Sequence, residues 1–120
     1  MVNIMEELNS LIKQSLLKLN QLKKTILSIN VSNDNIRIKT CISDIDRCIE
    51  HGEYYINDVS LYDANNFRFH NALVNLTDSI NDNDFGLQLT EKDEYEKRQL
   101  CSELIVLVEQ LILVNNKLKV

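Results

Sequence analysis

The sequence predicts an all-α fold, an antiparallel bundle of three to four long helices (about 3–29, 35–59, 63–81 and 91–118) with coiled-coil-like heptad packing, in a single domain over residues 1–120. Three observations point there. The chain holds no Pro and two Gly, too few turn-formers for a sandwich or barrel, whose chain reverses roughly every 8 to 12 residues. Apolar residues recur at helical spacing over long stretches, which marks one face of each helix for burial. Where that spacing lapses, at 30–35, 57–66 and 81–86, Asn, Asp and Ser crowd together; their side chains compete for backbone hydrogen bonds and favour caps and turns. With 44% apolar and 26% charged residues the composition is that of a folded protein. A chain of this size hides roughly two thirds of its unfolded surface, enough for one core.

The first helix, 3–29, carries a heptad stripe: Met5, Ile12, Leu19 and Ile26 at one position, Leu8, Ser15, Leu22 and Ile29 at the other. Seven of these eight are apolar, a regularity that favours near-parallel packing on neighbouring helices. A second register runs from Ile38 through Cys41, Ile45, Cys48, Gly52, Tyr55, Val59, Tyr62, Asn66, Phe69, Leu73 and Leu76 to Ile80. Periodicity alone allows one helix over 35–81, about 70 Å long at 1.5 Å per residue, which a domain this small could only share with a partner chain. The favoured reading breaks it at 57–66, where Ser60 and Asp63 resemble a capping box. The run NDNDFG at 81–86 ends the third helix, with Gly86 free to take positive φ. Thr90, ahead of Glu91 and Asp93, starts the fourth.

That fourth helix contains ELIVLVEQLILV, residues 103–114, with nine apolar side chains in twelve positions. Leu100, Leu104, Leu107, Leu111, Val114 and Leu118 form its stripe, and Ile105, Val106, Val108, Ile112 and Leu113 carry apolar surface around the helix. A helix apolar around most of its circumference must be covered on more than one side. It is therefore expected to pack inside the bundle and to extend into an interface. Twelve such residues, with Glu109 among them, do not reach the roughly 20 that a membrane span needs.

Charge narrows the partners. The net charge is −5, and it is uneven: residues 1–30 hold four Lys against Glu6 and Glu7, whereas 31–99 hold seven basic and fourteen acidic residues. An acidic middle argues against nucleic acid, whose backbone is bound by Lys and Arg. Three Cys, at 41, 48 and 101, make no disulfide framework and suit a reducing, cytoplasmic setting. Lys13, Lys18, Lys23 and Lys24 interrupt any signal-peptide core near the start.

Catalytic and metal chemistry find little support. Cys48 and His51 share a helical face, yet a zinc site needs four ligands, only Cys41, His70 and Cys101 remain, and no CxxC or HxxxH pair occurs. Cys41 and Cys48 occupy core positions, where Cys acts as a small hydrophobe. His51 and His70 sit in no nucleophile signature, and two Gly cannot build a phosphate loop. Arg47 and His51, with three residues between them, miss the spacing of HEPN-type ribonucleases, while Glu50 with Glu53, or Glu91 with Glu94, lacks the later ExxD that MazG-type pyrophosphatases use. Asp82, Asn83 and Asp84 fail as a calcium loop, because Leu87 stands at its sixth position and Asp93 at its twelfth.

The expected function is thus a non-enzymatic protein–protein interaction module, an accessory subunit, adaptor or small chaperone, without cofactor or metal, that self-associates or joins a hetero-oligomer. Its candidate interface residues are Tyr54 and Phe67, aromatics outside the core stripe of the kind that anchor interfaces, and Ile105, Val108, Leu111 and Ile112 of the broadly apolar fourth helix. The alternative is an inhibitor or immunity protein of a mobile element or virus, blocking a basic site through Asp44, Asp46, Glu50, Glu53 and Asp58.

Overall fold

The structure, a computed structural model, describes residues 3–29, 34–58 and 68–118. They form four helices: α1 (Ile4–Ile29), α2 (Ile36–Asn57), α3 (Arg68–Asn81) and α4 (Glu91–Leu118), with no strand among the described residues. Each helix packs on its two neighbours in a ring, α1 on α2 and α4, α3 on α2 and α4. Cross-helix pairs fix the directions. Lys23 meets Asp46 while Gly52 lies against Leu16, so α1 and α2 run opposite ways. Glu7 meets Lys117 while Lys18 meets Glu103, and α1 and α4 do the same. The result is an antiparallel bundle of 48 × 23 × 20 Å, its long dimension close to the roughly 42 Å of the 28-residue α4.

Helix starts follow local capping chemistry. Asn3 Oδ1 accepts from Met5 N at 2.8 Å, Asn35 Oδ1 from Ile38 N at 3.0 Å and Thr90 Oγ1 from Asp93 N at 3.1 Å, each satisfying a first-turn amide with no partner inside the helix. The break favoured over a single helix on 35–81 is present: α2 stops at Asn57, and Asp58 turns extended at φ −151°. The proposed cap at Ser60 and Asp63 lies outside the described residues.

The core is the predicted one along α1, where Leu8, Ile12, Ser15, Leu19, Leu22, Ile26 and Ile29 are buried and Met5 is half-buried. Burying a Leu or Ile side chain contributes about 1.5–3 kcal/mol each, and Ser15 resolves its hydroxyl by donating to the Leu11 carbonyl at 2.8 Å. Gly52 interrupts the α2 stripe for a steric reason. A Cβ there would come 3.1 Å from the Phe69 ring and closer still to the Leu16 side chain, so α1 and α3 already fill the space.

The α3–α4 turn is more structured than a solvated loop. Asn83 and Asp84 accept from the amides of Phe85 and Gly86 at 2.8 and 2.9 Å, and both following residues take positive φ, 57° at Phe85 and 72° at Gly86. A non-glycine residue enters that region rarely; here the buried Phe85 ring anchors it. Beneath the turn Lys97 is fully buried, its Nζ donating to the Asn83 carbonyl at 2.6 Å, 3.2 Å from Glu94 and 5.9 Å from the Phe85 ring centre. Asn35 Nδ2 donates to the Phe85 carbonyl at 3.1 Å, tying the start of α2 to this same end of the bundle.

Candidate interaction surface

On α4, Lys97, Cys101, Leu104, Leu107, Val108, Leu111, Val114 and Asn115 are buried. Val108 and Leu111, expected at an interface, thus lie in the core of the bundle itself. Of the nine apolar side chains in 103–114, five are buried, Ile105 is half-buried, and Val106, Ile112 and Leu113 face out. Ile105 borders a shallow cleft with Thr77, Asp78 and Asn81 of α3.

Helical spacing groups the outward residues. Tyr95, Val106 and Leu113 are 68%, 51% and 63% exposed. They are separated by eleven and seven residues, close to three and two whole turns, so they fall on one line about 27 Å long. Exposed Ser102 and Glu109 lie on it too. Charged pairs run along both sides. Toward α1 are Lys18 with Glu103 at 2.8 Å and Lys117 with Glu7 at 3.9 Å. Toward α3 are Arg98 with Glu94 at 2.8 Å and with Asp82 at 3.7 Å. The hydrogen bond from Lys18 holds the Glu103 carboxyl below the usual carboxylate range, as that from Arg98 does for Glu94. Three exposed apolar residues thus share one line with Ser102 and Glu109, between ionic margins.

Tyr54 is exposed and stacks edge-on to buried Tyr55, ring centres 5.3 Å apart. It sits on α2, away from the α4 strip, and Phe67 lies outside the described residues. The acidic run on α2 is partly neutralised within the chain, Asp46 by Lys23 at 2.7 Å and Asp44 by Arg47 at 3.8 Å.

A groove between α2 and α3 gathers Asp44, Arg47, Cys48, His51, Asn75 and Ser79. Its chemistry is quiet. The Cys48 thiol donates to the Ala72 carbonyl at 3.7 Å, and burial, with Asp44 adding, pushes it up to about 11. Burial likewise raises Cys41 to about 12 and Cys101 to about 11. His70 is buried on α3. Among the described residues no group of three or more His, Cys, Asp or Glu could hold a metal ion, and no helix is long and apolar enough to cross a membrane.

Those thiols carry a testable consequence. At pH 8 a thiol raised to about 11 is ionised to only about one part in a thousand, and the thiolate is the reactive form. The native protein is expected to resist a disulfide reagent such as Ellman's for many minutes, and all three Cys to react at once in denaturant. Fast reaction of one native thiol would mean that the helices part at that position.

No family model matches the chain, and no curated protein or solved structure matches it.

Proposed function

We propose that this protein is a non-enzymatic protein–protein interaction module that self-associates through the outer face of α4. One observation carries the reading: α1 and α3 cover only part of an almost wholly apolar segment, leaving Val106, Ile112 and Leu113 in water, with exposed Tyr95 further along the helix. Nothing in the fold of the monomer requires large apolar side chains at these places, since a helix with one buried stripe is served by polar residues on its far side. The basic and acidic margins add direction to an apolar contact. Elsewhere the exposed apolar residues stand apart, Leu17 and Leu27 on α1, Ile36 and Tyr54 on α2, and isolated ones are normal on any surface. The raised thiols of Cys41, Cys48 and Cys101 support a non-catalytic role, because a nucleophilic Cys needs its pKa lowered.

Light scattering behind size exclusion tests this. At tens of micromolar the mass is expected to be twice the 13.9 kDa of the chain, falling toward the single mass on hundredfold dilution. A mass of one chain at every concentration would contradict self-association.

A further inference from the structure

We draw no further inference here: the strongest candidate, the groove between α2 and α3 lined by Arg47, His51, Asn75 and Ser79, carries nothing because Asp44 sets an opposite charge 3.8 Å from Arg47 on the same wall and the one buried polar side chain along it, the Cys48 thiol, already donates to the Ala72 carbonyl, so nothing among the described residues points to a ligand for it.

Discussion

Leu111→Asp is expected to unfold the protein. Leu111 is fully buried on the inner face of α4, where truncation to Ala alone costs about 2–5 kcal/mol. An aspartate there adds the cost of a buried charge with no cation beside it, still several kcal/mol after relaxation. Against a whole-domain stability of about 5–15 kcal/mol, the sum removes most or all of the folded population. Far-UV circular dichroism and a urea titration would show it as lost helix, or as a midpoint far below wild type. A variant that melted with the wild-type midpoint would mean that α4 is rotated from the placement given above.

Two positions along, the same substitution is expected to do something different. Leu113 is more than half exposed, so Leu113→Asp should leave the monomer's helix content unchanged and its stability within about 0.5 kcal/mol. Its effect falls on assembly. In a two-fold contact the residue is used twice, and an apolar anchor in such a contact is worth about 2 kcal/mol or more. The dimer should weaken by about 100- to 1,000-fold. Sedimentation equilibrium read beside circular dichroism separates the outcomes. A folded variant that still dimerised like wild type would place the contact elsewhere, and an unfolded one would show that Leu113 belongs to the core.

The contrast between neighbours on one helix shows what could be read in advance. The all-α class and the antiparallel four-helix arrangement were legible because periodicity and turn composition are local: the stripe on α1 matches its buried residues, and Asn, Asp and Ser mark its ends. On α4 the stripe Leu104, Leu107, Leu111 and Val114 is buried as its spacing predicts, but which of the flanking apolar residues stay outside was not legible. When nine of twelve residues are apolar, periodicity loses its contrast. Val108 and Leu111 therefore read as interface residues and Val106 and Leu113 do not, whereas the position of α1 and α3 buries the first pair and exposes the second. Tyr95 was missed because it stands outside that segment, in a polar stretch where a lone aromatic carries no pattern.

Lys97 was hidden for another reason. It continues the spacing of buried Cys101, Leu104 and Val108, but a Lys at a core position reads as the end of the stripe. Its burial depends on the Asn83 carbonyl and Glu94 around its ammonium, a partnership built by the turn conformation at Phe85 and Gly86. Positive φ at Gly86 follows from its residue type. Positive φ at Phe85 does not, since it depends on a ring anchored in the core.

The outer face of α4 is proposed as an interface between copies of this chain. Its most direct test is the solution mass of wild type and Leu113→Asp, measured side by side over a hundredfold range of concentration. Wild type is expected to be a dimer that dissociates on dilution, and the variant a folded monomer throughout. Two superimposable mass curves, whether both monomeric or both dimeric, would contradict it.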